Sequence, residues 1–505
     1  MKVVTAQEMQ QIDLQSIQKF GIPDQVLMAW AGRSAADLLQ QEFPTLKKIA
    51  IFCGSGNNGG DGFVMAYCLN NFGYQVDLFL SSPKNKIKNP SKIFLNLCFH
   101  SKIKITVLKK GNLNKISLSS YELIVDALLG TGFQGKVKEP LANLIKYINK
   151  SKKPILAIDL PSGLPANGES PKGEVIQANT TITIGLPKIS LVTYPGKQFV
   201  GKLLIANIGF PAELTNSSLL KTELINKKFI QKHFSLSQNE DIHKGDRGHL
   251  LIIGGWPAME GAALMTAAAA LEIGVGLITL LTHPQSRQII AGKIPELMTK
   301  EINLEKDIDS QLKKIFTEKK YQALVIGPGL GRDQKAQEVF KATLDNIKHS
   351  SIKKVLIDAD GLFFLATHKF SKKLFKDIHF IVSPHFQEAA RLLKKPIDFI
   401  KNNRLQAAKK IALSYQATAI LKGPSTIISN GEENLINTTG DKALATAGSG
   451  DILSGIIGAC LLKMIPPFQA TALGVYTHGR AADLYCQEKK NDTLKATNLL
   501  LYLKI

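Results

Sequence analysis

IAIFCGSGNNGGDGFVMAYCLNN, residues 49–71, joins a short apolar run to a helical pattern through a glycine-rich loop. The apolar run predicts a strand at Ile49–Cys53, and the pattern after the loop predicts a helix at Asp61–Asn71. Such a loop directs free N–H groups and the positive end of the helix towards an anion, so phosphate binding is expected there. It is not a Walker A loop, because no Gly-Lys-Ser/Thr follows it. The stretch therefore predicts a parallel α/β fold with an anion site at the end of a strand.

The rest of the first half repeats this alternation of strands and helices. A helical opening stretch to about Gln41 precedes the first strand, and a further helix is predicted at Leu141–Asn149. Four more strands are predicted at Gln75–Leu80, Leu123–Val125, Ile155–Ile158 and Thr180–Ile184. Strands that alternate with helices form right-handed crossovers, which cover a parallel sheet on both faces. The first half is therefore expected to be a Rossmann-like doubly wound sheet.

A change in composition between Pro211 and Asp241 separates the two halves of the chain. Ser, Thr and Asn accumulate there, and we place a boundary at about residue 235, which gives domains 1–235 and 236–505. A second α/β series follows the boundary. Its strands are predicted at His249–Ile253, Leu277–Leu281, Ala323–Ile326, Val355–Ile357, Ile378–Val382 and Thr418–Leu421.

The chain is basic, because 63 Lys and Arg residues against 41 Asp and Glu residues give a net charge of +22. Such an excess suits anionic partners, but no RNP-type, zinc-finger or helix-turn-helix signature accompanies it. We therefore expect a basic solvated surface and no nucleic-acid partner. The five cysteines include no CxxC pair, which argues against a zinc ribbon or a redox dithiol.

The segment Gly261–Thr282 is almost wholly apolar and about as long as a membrane span. Glu272 and Gly274 interrupt it, so a buried helix followed by a strand at Leu277–Leu281 is the better interpretation. No membrane partner is expected. Residues Met1–Asp13 lack the apolar stretch of a signal peptide, so a cytoplasmic location is expected.

Two acidic residues stand at the predicted ends of strands in the first half. Asp126 follows one predicted strand, and Asp159 follows the next, with Ser162 three residues later. The carboxyl ends of parallel strands share one crevice, so these residues should converge with Asn58 of the glycine-rich loop. Oxygen ligands without Cys or His suit an alkali or alkaline-earth ion. Taken singly, each Asp is better explained as a helix N-cap or a turn former.

Ala447-Gly448-Ser449-Gly450-Asp451 is the corresponding loop of the second half, ahead of an apolar helix predicted at Ile452–Leu462. Its backbone N–H groups can form an anion hole with a carboxylate at the mouth. Such a site can hold a transferring phosphoryl group while Asp451 accepts a hydroxyl proton. The alternative, a helix N-cap after a glycine-rich turn, is left open by this loop alone.

Three motifs of the first half are GSGNNGGDG (54–62), VDALLGTGFQG (125–135) and AIDLPSGLPANGE (157–169). Together they resemble the NAD(P)H-hydrate epimerase domain, over roughly residues 1–215. The resemblance implies that Asn58, Asp126 and Ser162 hold a potassium ion. It also implies that the hydrated dinucleotide contacts Asp159 and two loops, namely Asn57, Asn58, Gly59, Gly60, Asp61, Gly130, Thr131, Gly132, Phe133, Gln134, Gly135 and Lys136. Asp159 is the candidate acid/base for inverting the carbon that bears the added hydroxyl.

Six motifs of the second half are HKGDRGHLLIIGG (243–255), GPGLG (327–331), DADGL (358–362), SPHFQEAARLL (383–393), LKGPSTII (421–428) and LATAGSGDILSGIIGA (444–459). Together they resemble the ADP- or ATP-dependent NAD(P)H-hydrate dehydratases of the ribokinase-like superfamily, over roughly residues 225–505. The resemblance implies that Ala262, Gly329, His385 and Asp451 contact the hydrated nicotinamide nucleotide. The adenine nucleotide, with its Mg²⁺, would be held by Lys422, Gly423, Pro424, Ser425, Thr426 and Gly450.

The two resemblances together imply one bifunctional enzyme. It would interconvert the R and S forms of hydrated NADH and NADPH, and it would dehydrate the S form to NAD(P)H at the expense of ADP or ATP. Asp451 would activate the ring hydroxyl to attack the terminal phosphate, and the phosphorylated hydroxyl would then leave. The expected fold is α/β, an N-terminal Rossmann-like doubly wound sheet plus a C-terminal ribokinase-like domain. A homo-oligomer is also expected.

Two other functions fit parts of the sequence. A kinase of the same fold, for a vitamin or a sugar, could be fused to a nucleotide-binding domain, and the fold alone does not exclude it. The NNGGDG loop in the same chain favours repair, because an epimerase would supply a stereospecific dehydratase. Asp159 and Asp451 argue against the second alternative, a nucleotide-binding scaffold without catalysis.

Overall fold

The computed structural model describes residues 1–109, 113, 116–234, 243, 245–318, 320–368 and 377–503. The chain divides into two compact units, an N-terminal unit of Lys2–Thr222 and a C-terminal unit of Glu223–Ile505, with Met1 in the latter. The boundary predicted at residue 235 falls on residues 235–242, which lie outside the described residues.

The N-terminal unit contains a parallel sheet of seven strands among its described residues. In chain order the strands are β1 (Lys48–Cys53), β2 (Gln75–Leu80), β3 (Lys104–Val107), β4 (Leu123–Ala127), β5 (Ile155–Ile158), β6 (Thr180–Ile184) and β7 (Lys202–Ala206). Their spatial order is β3-β2-β1-β4-β5-β6-β7, and all neighbours pair in parallel. The order reverses between β1 and β4, where doubly wound sheets bind ligands at the strands' carboxyl ends. The predicted Rossmann-like sheet is therefore confirmed.

The central strand β1 is buried on both faces. The helices of this unit are α1 (Ala6–Gln18), α2 (Asp24–Glu42), α3 (Asn57–Asn71), α4 (Ser91–His100), α5 (Leu141–Lys150), α6 (Ile189–Val192) and α7 (Ala212–Thr215). Ile49, Ile51 and Cys53 pack in the core that contains α2 and α3, whereas Ala50 and Phe52 pack in the core that contains α5. Successive side chains of a strand point to opposite faces, so an unbroken apolar run serves both cores.

The N-terminal unit differs from the sequence prediction at several elements. Helix α3 begins at Asn57, earlier than the predicted Asp61, because its first turn includes glycines that pack closely. Strand β4 continues to Ala127, so Asp126 lies within the strand and not after it. Strands β3 and β7 were not predicted. Both are short edge strands with lysine as the first residue and mostly half-buried side chains, so they lack a strong apolar signal.

The C-terminal unit is built on a mixed sheet. Its strands are β8 (Thr222–Ile225), β9 (His249–Ile253), β10 (Leu277–Thr282), β11 (Met298–Glu301), β12 (Ala323–Ile326), β13 (Lys354–Ile357), β14 (His379–Val382), β15 (Thr418–Leu421), β16 (Ile427–Ser429) and β17 (Asn434–Asn437). Their spatial order is β8-β17-β16-β15-β14-β13-β12-β9-β10-β11. Strands β9 to β15 pair in parallel, whereas β15, β16 and β17 pair in antiparallel succession. This second α/β sheet is also as predicted.

Two apolar helices, α9 and α17, pack closely together in this unit. The helices are α8 (Lys227–His233), α9 (Glu260–Glu272), α10 (Pro284–Ile290), α11 (Ile308–Glu318), α12 (Gln334–Asn346), α13 (Asp360–Thr367), α14 (Phe386–Leu393), α15 (Ile397–Asn402), α16 (Arg404–Tyr415), α17 (Ser449–Cys460) and α18 (Pro467–Lys489). A Cβ added at Gly455 of α17 would lie 2.1 Å from the carbonyl oxygen of Thr266 in α9, so only glycine permits this approach. Both helices share a core with Ile252 and Val325 of the sheet.

The apolar segment 261–282 forms α9 and β10, as the sequence predicts. Within the part of the chain that the structure describes, no helix is long and apolar enough to cross a membrane. Helix α17 begins at Ser449, earlier than the predicted Ile452, so Gly450 and Asp451 lie in its first turn. Strands β8, β11, β16 and β17 were not predicted. Strand β8 lies in the polar segment 211–241, β11 (MTKE) is an edge strand with three polar residues, and β16 and β17 have only three and four residues.

Candidate active sites

The N-terminal unit contains a cleft of about 840 Å³ at the carboxyl ends of β1, β4 and β5. Helices α1 and α2 also line it, through residues that include Asp13 and Met28. The predicted contact residues that line the cleft are Asn57, Asn58, Asp61, Gly130, Thr131, Gly132, Phe133, Gln134 and Asp159. The structure thus brings most of the predicted N-terminal site residues to one cavity.

Four other predicted contact residues do not line this cleft. Gly59 and Gly60 lie in the first turn of α3, where an added Cβ would stand 2.1 Å from the Gly54 carbonyl oxygen and 2.4 Å from Met28 Sδ, respectively. These glycines allow the turn to pack against its surroundings. Gly135 and Lys136 are exposed at the end of the second loop.

Asp159 is held in the cleft by the buried ammonium of Lys188. Oδ1 of Asp159 accepts hydrogen bonds from Lys188 Nζ at 2.5 Å, Thr183 Oγ1 at 3.4 Å and the Ile184 N–H at 3.3 Å. Lys188 is 1% exposed, and Nζ also donates to Thr183 Oγ1 at 3.2 Å and to the Ile184 carbonyl at 2.9 Å. No described residue donates to Oδ2, which lies 3.6 Å from the position of a Cβ added at Gly130. Asp159 therefore presents one free carboxylate oxygen to the cleft.

Two further carboxyl groups, Asp13 of α1 and Asp61 of α3, line the same cleft. Burial raises the pKa of Asp13 to about 6, although Lys188 lowers it and Asp159 raises it further. Burial also raises the pKa of Asp61 well above its usual range, and the charges of Asp159 and Asp13 add to that rise. Asp13 and Asp61 are therefore harder to ionise than ordinary aspartates, because both are buried near other carboxylates.

Asp126, Ser162 and Asn58 meet beside the cleft, as predicted from the strand ends. The fully buried Asp126 carboxylate accepts hydrogen bonds from Ser162 Oγ at 2.6 Å, the Ser162 N–H at 2.7 Å and the Leu128 N–H at 3.1 Å. Asn58 Nδ2 donates to the Leu129 carbonyl at 2.9 Å, and the Leu129 N–H donates to Ser162 Oγ at 2.8 Å. Burial raises the pKa of Asp126 to about 6.

Asn58 Oδ1 is buried and has no hydrogen-bond partner among the described residues. Buried polar atoms are normally paired, and an unpaired amide oxygen near a carboxylate suits a hard cation. The described part of the chain offers no group of three or more His, Cys, Asp and Glu residues that could hold a metal ion. With its unpaired amide oxygen and its buried carboxylate, the set of Asn58, Asp126 and Ser162 is the candidate cation site of this unit.

Lys188 and Asp13 are functional candidates that the sequence analysis missed. Lys188 follows β6, so the strand-end rule that selected Asp159 would also have selected this lysine. Asp13 gave no comparable signal, because α1 precedes the first strand of the sheet. Its helical pattern does not reveal which face meets the cleft.

In the C-terminal unit, α17 begins after Gly448, whose φ of 85° places it in the left-handed region. No described side chain caps this helix, so the N–H groups of its first turn are available to a ligand. Burial and the charge of Asp358 raise the pKa of Asp451 to about 6, against the opposing effect of Lys422. Ser449 Oγ lies 3.3 Å from Nε2 of buried His478. Burial lowers the pKa of His478 to about 4, so its ring is neutral at neutral pH.

Lys422 lies between this helix start and two buried carboxylates. Nζ is 2.7 Å from Asp358 Oδ1 and 4.0 Å from Glu388 Oε2. Burial lowers the pKa of Lys422, but Asp358 and Glu388 outweigh burial and the net shift is upward. A Cβ added at Gly450 would stand 3.7 Å from Nζ. A charged ammonium therefore lies beside the predicted anion hole.

Ala262, Gly329 and Asp451 are also brought together. Thr266 Oγ1 donates to the carbonyl oxygens of Ala262 at 2.9 Å and Asp451 at 3.1 Å. A Cβ added at Gly329, where φ is 60°, would lie 3.2 Å from Ala262 Cβ. The predicted substrate contacts of α9, of the loop after β12 and of α17 are thus neighbours.

The remaining predicted residues occupy loops after β14 and β15. His385 is the N-cap of α14, and its N–H donates to Glu388 Oε2 at 2.7 Å. Burial lowers the pKa of His385, and the positive charges of Lys422, Arg391 and Arg332 lower it further. The negative charge of Asp358 acts in the opposite direction. The turn Gly423, Pro424, Ser425 and Thr426 follows Lys422, and Thr426 Oγ1 donates to the Gly423 carbonyl at 3.0 Å. Glu388 thus connects His385 to Lys422.

Family models match both parts of the chain. One described as the YjeF-related protein N-terminus matches residues 24–190, and one described as NAD(P)H-hydrate dehydratase matches residues 250–504. The second model alone covers half of the chain.

Curated relatives match along the whole length. The chain is 35% identical to the bifunctional NAD(P)H-hydrate repair enzyme Nnr of Moorella thermoacetica, over 100% of this chain and 96% of the relative. It is 34% identical to the Nnr of Coxiella burnetii, over 96% of this chain and 95% of the relative. For the Nnr of Escherichia coli the identity is 32%, over 95% of this chain and 88% of the relative.

Among solved structures, the chain is similar to an ADP/ATP-dependent NAD(P)H-hydrate dehydratase from Bacillus subtilis that was co-crystallised with ATP and Mg²⁺. The identity is 27% and the TM-score 0.49, over 55% of this chain and 95% of that chain. The full-length relatives favour the repair interpretation over a kinase fused to a nucleotide-binding domain. The chain belongs to the family of bifunctional NAD(P)H-hydrate repair enzymes, with an epimerase domain followed by a dehydratase domain.

Proposed function

We propose that the N-terminal unit interconverts the R and S forms of hydrated NADH and NADPH, and that the C-terminal unit dehydrates the S form with ADP or ATP. The observation that carries this proposal is the presence of two separate acid sites in one chain. Asp159 is fixed by Lys188 in the first unit, and Asp451 stands near Lys422 in the second. Both substrates are polyanions, which suits a net charge of +22.

In the N-terminal unit, Asp159 acts as acid/base on the carbon that bears the added hydroxyl. Lys188 fixes Oδ1, so Oδ2 is the oxygen that exchanges protons with the substrate. The first turn of α3, which includes Asn57 and Asp61, supplies backbone N–H groups to the dinucleotide phosphates. The loop Gly130–Lys136 contacts the same dinucleotide.

Asn58, Asp126 and Ser162 would hold a potassium ion in this unit. The fit rests on the unpaired Oδ1 of Asn58 and on the buried carboxylate of Asp126. A bound potassium ion would supply a positive charge in this unit, which suits an anionic dinucleotide. Ser162 orients Asp126 through two hydrogen bonds, and Asn58 ties the start of α3 to Leu129.

In the C-terminal unit, Asp451 takes the proton of the ring hydroxyl while that oxygen attacks the terminal phosphate of ADP or ATP. Lys422 and the backbone N–H groups at Gly450 neutralise the charge that develops on the transferred phosphoryl group. The C–O bond then breaks with its electron pair going to inorganic phosphate. The neighbouring carbon loses a proton, and the dihydropyridine ring is restored.

The turn Lys422–Thr426 and Gly450 would hold the adenine nucleotide, and Ala262, Gly329 and His385 would contact the hydrated nicotinamide nucleotide. Mg²⁺ is expected with the nucleotide held by Lys422–Thr426 and Gly450; it would neutralise phosphate charge there and would need few protein ligands. The buried carboxylates of Asp358 and Glu388 hold Lys422 in place for this role.

Ultraviolet absorbance of NADH tests the whole proposal. A mixture of both epimers of hydrated NADH should yield NADH only when ADP or ATP is added, and both epimers should be consumed. The other products should be inorganic phosphate with AMP from ADP, or with ADP from ATP. Accumulation of a stable phosphoester instead of NADH would overturn the assignment in favour of a kinase.

We further propose a homo-oligomer in the cytoplasm, without a nucleic-acid or membrane partner. Light scattering of the purified chain tests the oligomer, and a monomer at micromolar concentration would contradict it.

A further inference from the structure

Inversion of the substrate carbon requires two proton-transfer groups if water leaves one face and returns to the other. Hydration of an enamine double bond places the hydroxyl on the carbon bonded to nitrogen, so that hydroxyl can leave as water with help from the nitrogen lone pair. One group must protonate the departing hydroxyl, and another must deprotonate the returning water. Asp159 supplies one of these groups, and the cleft has to supply the other.

We propose that Asp13, on helix α1, is the second catalytic residue of epimerisation and protonates the departing hydroxyl. The inference rests on the proposed epimerase function of the N-terminal unit. Asp13 lines the same cleft as Asp159, but it comes from a helix outside the sheet, whereas Asp159 comes from the end of β5. Two groups from different elements can meet a flat ring on its two faces.

Helix α1 is anchored over the cleft by hydrogen bonds at its start. Thr5 Oγ1 accepts from the Glu8 N–H at 3.1 Å, and Glu8 Oε2 accepts from the Thr5 N–H at 2.7 Å, which forms a capping box. The Ala6 N–H donates to Asn167 Oδ1 at 2.8 Å. Asn167 stands in the segment that follows Asp159, so the position of α1 is tied to the catalytic loop.

One face of α1 is turned to the cavity. Met9, Asp13 and Ile17 are spaced four residues apart, and all three line the cleft. Asp13 is therefore the acidic residue of the three on this face of α1. Its two neighbours there, Met9 and Ile17, are apolar and do not neutralise its charge.

The other charged groups of the cleft are less suited to donate this proton. Lys188 directs its ammonium to three acceptors, Asp159 Oδ1, Thr183 Oγ1 and the Ile184 carbonyl. Asp24 is exposed, and its Oδ1 accepts from the Gln25 N–H at 2.7 Å. Asp61 has a pKa well above its usual range, which makes it a weak acid.

The charged groups that act on Asp13 are Asp159 after β5, Lys188 before α6 and Asp61 on α3. Burial raises the pKa of Asp13 to about 6, with Lys188 opposing and Asp159 reinforcing this rise. A general acid is most effective when its pKa lies near the working pH. With a pKa of about 6, Asp13 meets that condition.

The proposed step balances in protons and electrons. Asp13 gives its proton to the hydroxyl, the C–O bond breaks with its pair on oxygen, and water leaves an iminium-like ring. Water then attacks the opposite face while Asp159 accepts its proton. The reaction ends with Asp159 protonated and Asp13 ionised. This is the state required for the reverse inversion. Proton exchange with solvent returns both carboxyl groups to the starting state for another forward turnover.

Asp13→Asn in the full chain tests the proposal, with Asp24→Asn as a matched control on the same cleft. A single epimer of hydrated NADH is followed by NMR without ADP, and the uncatalysed rate is subtracted. We expect Asp13→Asn to lower kcat for epimerisation by about 10²–10⁴-fold with little change in KM. We expect Asp13→Glu to recover part of it, and Asp24→Asn to behave as the wild type. Dehydration of the S form with ADP should be unchanged in all three, which shows that the C-terminal unit is intact. An unchanged thermal unfolding transition of the N-terminal unit shows that the unit carrying the variants is folded.

A pH profile and an isotope experiment distinguish a catalytic role of Asp13 from a purely structural one. In the wild type, kcat/KM for epimerisation should fall as the pH rises through about 6, and Asp13→Asn should lose that limb because the titrating acid is gone. In water enriched with ¹⁸O, the inverted product should acquire solvent oxygen. Inversion without ¹⁸O uptake would overturn the proposed step.

The role of Asp13 and the epimerase function of the N-terminal unit can fail separately. Wild-type epimerisation by Asp13→Asn would remove Asp13 from the mechanism, and so would a collapse seen only in Asp61→Asn. In both cases, loss of epimerisation in Asp159→Asn would still support the epimerase function. If neither the wild type nor any variant exceeds the uncatalysed rate, the proposed function itself fails.

Discussion

The ammonium of Lys422 lies 2.7 Å from Asp358 Oδ1, and the Asp358 side chain is only 2% exposed. Ser454 of α17 donates to the other oxygen of that carboxylate at 2.5 Å. Asp358 therefore joins the loop after β15 to the helix that begins with Gly450 and Asp451. Because of this link, Lys422 is fixed beside the site where a transferring phosphoryl group would lie.

Asp358→Asn should weaken ADP binding and destabilise the C-terminal unit. Breaking a buried ion pair costs on the order of 3–5 kcal/mol, because the remaining charge is uncompensated. Glu388, 4.0 Å from Lys422, should reduce that cost. Chemical denaturation and nucleotide titration measure the two effects. Ser454→Ala removes one hydrogen bond to the same carboxylate and should cost only about 1 kcal/mol. Equal effects of the two changes would show that Lys422 does not depend on Asp358.

Residues before 235 contribute to the C-terminal unit, which bears on where the chain can be divided. Strand β8 lies next to β17, and Thr438 Oγ1 donates to the Ile225 carbonyl at 2.8 Å. Ile225 and Phe229 are buried in the C-terminal core.

A fragment of residues 223–505 should therefore fold alone and dehydrate only one epimer. A fragment of 236–505 should be less stable, since each lost apolar side chain of this size contributes about 1.5–3 kcal/mol when buried. Thermal unfolding of the two fragments measures the difference. Equal stability would mean that β8 and α8 contribute little to the C-terminal unit. Consumption of both epimers by the longer fragment would contradict the division of activities.

The sequence predicted those elements whose signals are local. Strands β5, β9 and β12 have the predicted bounds, because buried strands of a parallel sheet are nearly continuous apolar runs with clear ends. The strand-end rule also identified Asp126 and Asp159. The pairing of Lys422 with Asp358, separated by 64 residues, has no local signal and depends on the order of the strands.

Asp126→Ala should remove the dependence of epimerisation on monovalent cations and leave dehydration intact. The change deletes the buried carboxylate, while Asn58 Oδ1 stays without a protein partner. In the wild type, a bound cation should raise the melting temperature of the N-terminal unit in potassium salts, because a ligand that binds only the folded state stabilises it. Calorimetry in potassium and lithium chloride measures this. Identical melting curves in both salts, or no anomalous signal in crystals grown in potassium, would contradict the ion site.

Asp451→Asn should abolish dehydration and preserve nucleotide binding. The substitution keeps the shape of the side chain and removes its basicity, and loss of a positioned general base lowers the rate by about 10²–10⁴-fold. Single-turnover formation of NADH from the S form, and calorimetric titration with ADP, measure the two properties. Epimerisation serves as the internal control, since its acid and base lie in the other unit. Full dehydratase activity in the variant would remove Asp451 from the mechanism.

The pH dependence of dehydration should report the same carboxylate. Burial and the charge of Asp358 raise the pKa of Asp451 from 3.8 to about 6, against the effect of Lys422. A general base must be ionised, so kcat/KM should fall about tenfold per pH unit below that pKa and level off above it. Asp358→Asn removes a negative charge that raises the pKa of Asp451, so it should move the limb to lower pH. Rates measured between about pH 5 and pH 8 at saturating ADP would show the falling limb and the level region above it. A limb near the ordinary aspartate pKa, or one that Asp358→Asn leaves in place, would mean that another group accepts the proton.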